Sequence, residues 1–289
     1  MEREAPLTLH SLSATYQQGM NESDYEVIVA DCGSDRPLDE KMVKGHGRNF
    51  RLVRFEAAPS PVKSVNQAVR MSKGDIIMIC IDGARILSPG ILALTLSAFR
   101  AFRDPLVATL SFHLGPGIQN ETMLEGYDSK EEDRLLDSID WANNGYDLFR
   151  ISSLASSSKN GWMIPIMESN SLAMRRKTFE SIGGLEEKFR MPGGGLVNLD
   201  FFATACDATD ELVLLLGEGS FHQIHGGVAT NATPENHPFQ EFEKEYIAIR
   251  GKKISPTEKK AILFGHPNPP SMRFLEESVK SWQEAMALK

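Results

Sequence analysis

Short apolar runs alternate along the chain with segments whose apolar residues recur every three or four positions, the pattern of strands alternating with amphipathic helices. Pro6 to Gln18 places a proline at a first helical position and Leu9, Leu12 and Tyr16 on one face, which predicts a helix. Tyr25-Glu-Val-Ile-Val-Ala30 predicts a short buried strand running into the turn-rich loop Asp31-Cys-Gly-Ser-Asp-Arg-Pro37. Arg51 to Phe55 predicts a second strand. Ser60-Pro61 opens a helix that turns Val62, Val65 and Val69 one way until Gly74 stops it. Asp75-Ile-Ile-Met-Ile-Cys-Ile-Asp82 is apolar on both faces and is expected in the middle of a covered parallel sheet. A helix from Ser88-Pro89 to about Arg103 and a strand from Leu106 to Leu114 follow.

From Tyr25 onward the order is therefore strand, strand, helix, strand, helix, strand. That order predicts an α/β fold with a Rossmann-like, mostly parallel sheet and helices on both faces. Such sheets bind ligands beyond the carboxyl ends of their strands, where Asp31 and Asp82 fall. Residues 115–165 are polar, with an acidic stretch of helical pattern from Ser129 to Asp140, and read either as a loop-rich lid or acceptor region or as a solvated insertion. Pattern returns with a strand and helix over Ser171 to Gly184, a strand over Leu212 to Leu216, and amphipathic stretches at Phe239 to Ile249 and Ser271 to Leu288. One domain over residues 1–233 is expected, nucleotide-binding to about 114 and acceptor-binding and catalytic from about 115, followed by a helical extension over 234–289 that packs back on it.

Composition narrows the function classes. A formal charge of −8 disfavours nucleic acid as the main partner, because polyanion binding needs basic residues to release phosphate counterions. Cys32, Cys80 and Cys206 are widely separated, with no CxxC pair, and indicate neither a disulfide framework nor a zinc site. The longest uninterrupted apolar run, Ile76 to Ile81, is far too short to span a bilayer, and the amino terminus lacks a signal-peptide pattern. The expected location is the cytoplasm, with peripheral membrane contact left open.

Three carboxylates bracket the sheet: Asp31 after one strand, Asp75 before the apolar strand and Asp82 after it. A strand-end carboxylate can accept hydrogen bonds from ribose or a base edge, or ligate a hard cation beside a diphosphate, although Asp is also a common turn former. Phe221-His-Gln-Ile-His-Gly-Gly227 offers His222 and His225, which with Asp82 make a mixed nitrogen and oxygen donor set suited to Mn²⁺ or Mg²⁺. His225, beside the glycine pair, is expected to matter more than His222. The glycine-rich segment from Met191 leads into a helix with Asp200 in its first turn, an arrangement suited to loop closure over a donor and deprotonation of an acceptor hydroxyl.

Taken in order, these segments resemble family 2 glycosyltransferases, the large inverting group with the A-type nucleotide-sugar fold. Tyr25 to Ser34 looks like the family's strand and Asp-containing nucleoside loop, and Ser64-Val-Asn66 through Gly74-Asp75 like its Asn-bearing helix and following strand entry. Ile81-Asp82-Gly-Ala-Arg85 occupies the place of the metal-binding Asp-x-Asp, and Ser169 to Phe189 is similar to the stretch before the catalytic loop. The resemblance covers about residues 7–231. It implies nucleotide-sugar contacts from Asp31, Ser34, Asn66, Asp75, Asp82 and Arg85, a metal held by Asp82, His225 and His222, and a catalytic base at Asp200 or, failing that, Glu168.

The chain departs from the family pattern at three points. Ala84 stands where the second Asp of Asp-x-Asp is expected, Val197 and Asn198 replace the usual acid pair, and the family's first apolar strand is not found ahead of the first helix. Without that strand, edges of the Tyr25 and Asp75 strands are expected to be open, with a tendency to self-associate. The implied activity is transfer of a sugar, most commonly from a UDP-sugar, to a hydroxyl of a glycan or other acceptor with inversion. A noncatalytic nucleotide-sugar-binding protein and a nucleotidyltransferase are the alternatives.

Overall fold

In a computed structural model, which describes residues 1–227, 232, 236 and 238–287, the chain folds as a mixed α/β structure. In chain order the helices and strands are α1 (Glu4–Ser11), β1 (Val27–Asp31), α2 (Glu40–Gly45), β2 (Phe50–Arg54), α3 (Val62–Met71), β3 (Ile76–Cys80), β4 (Arg85–Leu87), α4 (Ile91–Ala101) and β5 (Pro105–Leu114). Then come α5 (Gln119–Thr122), α6 (Ser129–Asp137), β6 (Ser152–Leu154), β7 (Ser171–Arg175), α7 (Arg176–Ser181), α8 (Val197–Ala208), β8 (Glu211–His222), α9 (Phe239–Arg250), β9 (Ala261–Gly265) and α10 (Met272–Ala287).

The strands form two sheets. β1 and β2 pair in parallel by themselves, and the larger sheet has the order β3-β7-β5-β8-β4, with β6 added to β5 and β9 to β8. β3 is antiparallel to β7, β7 is antiparallel to β5, and β5 is parallel to β8. It follows that β3 and β8 run the same way and that Asp82 and His222, at their carboxyl ends, share one end of the sheet. The glycine at position 217 lets β8 change partners: β8 leaves β9 after Leu216 and meets β4 at Ser220. Gly217 has φ +82°, and a β-carbon there would stand 2.3 Å from the His266 carbonyl oxygen, so only glycine fits.

The core between sheet and helices is built on aromatics. Phe112 of β5 packs against Phe149, Phe221 and Phe274 with ring centroids 5.1, 5.3 and 4.9 Å apart, joining the central strands to α10. Arrangements of this kind add about 0.5–1.5 kcal/mol per pair beyond the area they bury. α6 is set by Asp128, whose carboxylate caps the Lys130 and Glu131 amides. α9 buries Phe242 and Tyr246 four apart and ends at Gly251 in the left-handed conformation.

Several expectations change. The apolar strand expected at the centre of the sheet, β3, is an edge: among the described residues its backbone pairs with β7 alone, and alternate residues are only half-buried. β1 ends the smaller sheet in the same way. The first helix is shorter than Pro6 to Gln18, because Leu12 to Gly19 continues in turns. Residues 115–165 carry α5, α6, β6 and 3-10 turns, and Glu132 within the acidic stretch is fully buried rather than solvated. The tail is more than helical, since β9 extends the larger sheet. The boundary expected at 233/234 lies outside the described residues.

β8 also buries a carboxylic acid. Glu218 accepts hydrogen bonds from Tyr146 Oη at 2.8 Å, from the Gly90 amide at 3.2 Å and from Ser88 Oγ. Burial pushes its carboxyl from 4.5 up to about 7, against the pull of those donors. A raised folded-state value means that the stability linked to the protonated acid is fully present below the unfolded value and is lost as pH rises through the folded one. At about 1.36 kcal/mol per unit, the swing is on the order of 3 kcal/mol. Glu218→Gln keeps an acceptor toward Ser88 and Gly90 and cannot ionise, so its melting temperature relative to wild type is expected to climb between pH 5 and pH 8. Parallel melting curves for the two proteins across that range would refute this assignment.

Candidate functional site

The chain leaves β3 through Ile81 and turns sharply at Asp82, a non-glycine residue with φ +59°. That strained conformation is held by the side chain itself, because Asp82 Oδ1 accepts from the Ala84 amide at 3.0 Å. Arg85 then begins β4, its Nε donating to the Ile81 carbonyl at 2.9 Å, and pairs directly opposite His222 on β8. The turn thus folds the Asp82 carboxylate back over the end of β8. Asp82 Oδ2 lies 3.6 Å from His222 Nε2 and 4.0 Å from His225 Nε2, and the two Nε2 atoms are 3.1 Å apart.

These three ligand atoms all lie within 4.8 Å of one another. Two atoms each about 2.1 Å from a common ion are at most about 4.2 Å apart, so the observed separations fit one small divalent cation. The donor set, one carboxylate and two imidazoles, suits a transition metal such as Mn²⁺ better than Mg²⁺, which prefers oxygen. Ala84, in the place of a second Asp, is fully buried and offers no ligand. The electrostatics prepare the set for metal. Burial acts to raise the Asp82 carboxyl, but the Arg85 guanidinium 3.6 Å away holds it well below the usual carboxylate range. Burial, aided by Arg85 and opposed by Asp82, lowers His222 to about 4, and burial lowers His225 as well. Both rings are neutral near pH 7, as ligation requires.

The strand register exposes residues that the sequence pattern did not. Ser153 of β6, His113 of β5, His222 of β8 and Arg85 of β4 stand opposite one another in a single row across four strands. His113 Nδ1 accepts from the Gln119 amide at 2.8 Å, and Gln119 Oε1 lies 2.7 Å from His222 Nδ1. Burial, with His222 and Arg85 nearby, lowers His113 to about 3. The segment between the two histidines is pinned by buried Glu132, which accepts from the Ile224 amide at 2.8 Å and from Arg3 at 2.8 Å. None of Arg3, His113, Gln119 or Glu132 belongs to a motif; strand register and burial identify them.

The remaining expected residues are dispersed. Asp31 ends β1, buried, with Oδ1 accepting from the Ser34 amide at 3.0 Å, while the Ser34 side chain is exposed. This loop needs glycine at 33, where φ is +79° and a β-carbon would lie 2.4 Å from the Ala57 α-carbon. Asp75 is exposed and precedes β3, at the opposite end of that strand from Asp82, so the two cannot act on one group. Asn66 is a structural clamp: its amide donates to the Leu185 carbonyl at 2.9 Å and to Glu187 at 3.2 Å, and its oxygen accepts from the Leu185 amide at 3.0 Å.

Asp200 is nearly fully buried, and both its oxygens are taken by the Arg250 guanidinium fork at 2.7 Å each, which ties α9 to α8. A bidentate pair of this kind holds the carboxylate in one orientation. Glu168 is half-buried and senses the Arg85 charge, and burial pushes its carboxyl above the ordinary value.

No protein-family model matches the chain, and no curated protein matches it by sequence. Solved structures do. S. aureus TarS 1–349 in complex with UDP-GlcNAc is similar over 86% of this chain and 62% of that one, with a TM-score of 0.56 and 15% identity. The same protein in complex with UDP matches over 85% and 61%, at 0.53 and 11%, and a longer S. aureus TarS over 77% and 35%, at 0.52 and 14%. This chain spans about a third of that longer protein. At such identities the likeness is one of fold: the chain has the mixed α/β, parallel-rich architecture of these structures. Among the described residues, no helix is long and apolar enough to cross a membrane.

Because both imidazoles present Nε2 to the same point, the unequal roles expected for His225 and His222 find no support in the geometry. Calorimetric titration with Mn²⁺ should show one site, and Asp82→Ala, His222→Ala and His225→Ala should each weaken it by at least about tenfold. An unchanged affinity in any of the three removes that residue from the ligand set.

Proposed function

We propose that this chain transfers a sugar from a nucleotide-sugar, most simply a UDP-sugar, to an acceptor hydroxyl with inversion. The observation that supports this reading above all is the convergence of Asp82, His222 and His225 at the carboxyl ends of β3 and β8, in a fold shared with a structure that holds UDP-GlcNAc. Asp31, at the end of β1, accepts from the nucleoside with the carboxylate oxygen that Ser34 does not occupy. Asp82, His222 and His225 would hold a divalent ion, which would supply Lewis-acid charge beside the diphosphate leaving group. Arg85 keeps Asp82 anionic and adds positive charge where the diphosphate accumulates negative charge.

The base in this reading is Glu168 and not Asp200. An acceptor hydroxyl attacks the anomeric carbon as its proton passes to the Glu168 carboxylate, and the carbon–oxygen bond to the diphosphate breaks. A carboxyl raised by burial is a better base near neutral pH than an ordinary one. Asp200 serves instead as the anchor of α9. Donor-dependent thermal shifts with UDP-, GDP- and dTDP-sugars, with and without Mn²⁺, followed by assay of nucleotide release, test the proposal. Failure of every donor to shift the melting temperature would overturn it. Glu168→Gln should lower kcat by roughly 10²–10⁴-fold at unchanged donor affinity. Asp200→Asn should cost about 1–3 kcal/mol of stability, since Arg250 loses its bidentate partner and keeps only Glu186 at 3.7 Å.

A second reading, a noncatalytic nucleotide-sugar-binding protein, draws support from the buried Ala84 and from the engagement of Asp200. Donor binding with neither transfer nor hydrolysis for any acceptor tried would favour it.

A further inference from the structure

We propose that Gln119 is a positioning residue that sets the tautomers of two neighbouring histidines at once, fixing His113 with its hydrogen on Nε2 and His222 with its hydrogen on Nδ1. The inference rests on the reading of Asp82, His222 and His225 as a metal site, and gives that site its orientation. The two imidazoles stand opposite each other on β5 and β8, ring centroids 5.6 Å apart, and Gln119 opens α5 directly beside them. Its backbone amide can only donate, so at 2.8 Å it requires a lone pair on His113 Nδ1, and the hydrogen of that neutral ring resides on Nε2. Its side-chain oxygen can only accept, so at 2.7 Å it requires a hydrogen on His222 Nδ1. One residue thus imposes opposite tautomers on the two rings.

The consequence for His222 is decisive. With Nδ1 protonated, Nε2 carries its lone pair toward Asp82 Oδ2 at 3.6 Å and His225 Nε2 at 3.1 Å, the state a ligand must have. In the other tautomer, a hydrogen on Nε2 would occupy the point where the cation belongs. The 3.1 Å contact between the two Nε2 atoms also needs one donor and one acceptor. With His222 as acceptor, His225 donates from Nε2, and that hydrogen must move when an ion binds. Gln119 itself is fully buried, so solvent does not compete for its hydrogen bonds. For His113 the consequence is an N–H donor that stays in place at the edge of the site.

Three proteins of this sequence test this: wild type, Gln119→Met, which keeps length and backbone amide but loses the acceptor, and Gln119→Glu, which restores an oxygen at the same reach. In metal-free protein labelled with ¹⁵N-histidine, long-range nitrogen–proton NMR reads each tautomer, with peaks assigned from His113→Gln and His222→Gln variants. His222 should carry its hydrogen on Nδ1 in wild type and Gln119→Glu and lose that preference in Gln119→Met, while His113 stays Nε2-protonated in all three. Titration with Mn²⁺ alone should then show affinity about 10–100-fold weaker in Gln119→Met and recovered in Gln119→Glu. A wild-type His222 with its hydrogen on Nε2, or full Mn²⁺ affinity in Gln119→Met, overturns the inference. The expected tautomers in a protein that binds no Mn²⁺ would uphold the role of Gln119 and overturn the metal reading instead.

Discussion

A three-residue antiparallel ladder, β4 against β8, is the constraint on which the rest of the site depends. By pairing Arg85 with His222, it fixes how far the chain travels after leaving β3, and so where the Asp82 carboxylate falls. Because the side-chain period of a strand is two, a slip of one residue would turn Arg85 and His222 to opposite faces and disperse the cluster. Two devices resist such a slip. The left-handed turn at Asp82 is closed by its own carboxylate, and the Ala84 carbonyl accepts from the Gln223 amide at 2.8 Å, continuing the ladder past its last pair.

Burying charge beside this ladder is costly unless each group is paired. Glu132 meets that requirement with three partners: Arg3, the Ile224 amide and Tyr127 Oη at 3.4 Å. The same bonds tie the first helical turn of the chain, the acidic helix and the histidine segment into one unit. Gln223, whose amide reaches the Glu4 carbonyl and Thr8 Oγ1 at 3.2 Å each, adds a second tie from the same segment to α1. The histidines therefore sit on a backbone held from two sides, which spares a bound ligand much of the cost of ordering it.

How much of this was legible depended on whether the information was local. Strong periodicity gave α3, α9, α10 and β5 nearly to their observed ends, and the strand-end position of Asp82 and the His-x-x-His spacing pointed to one end of the sheet, where the three side chains meet. What could not be read was pairing. β3 is as apolar as a central strand and lies at an edge, because composition reports burial of faces and not the number of neighbours. β4 and β6 are three residues each, too short for any period to show, yet they carry two of the four residues in the polar row. Asn66 and Asp200 sat at suggestive places in the sequence, but their partners lie 119 and 50 residues away. Only the fold reveals that these side chains are already engaged.

The pattern of protonation follows from the same geometry. One guanidinium, one carboxylate and three imidazoles share a small volume, and Arg85 decides their charges: it stabilises the Asp82 anion and works with burial to keep His113 and His222 neutral. The sign of the linkage runs against the fold. Histidines lowered in the folded state to about 3 and 4 bind protons less well than the unfolded chain, where the ordinary value is 6.5. Stability is therefore drawn down as pH falls below about 6.5 toward those lower values. A site built only for stability would gain from replacing these rings with apolar side chains. Their retention beside an anionic Asp82 makes sense where a cation offsets the cost, since a ligand that binds only the folded chain returns stability in proportion to its affinity.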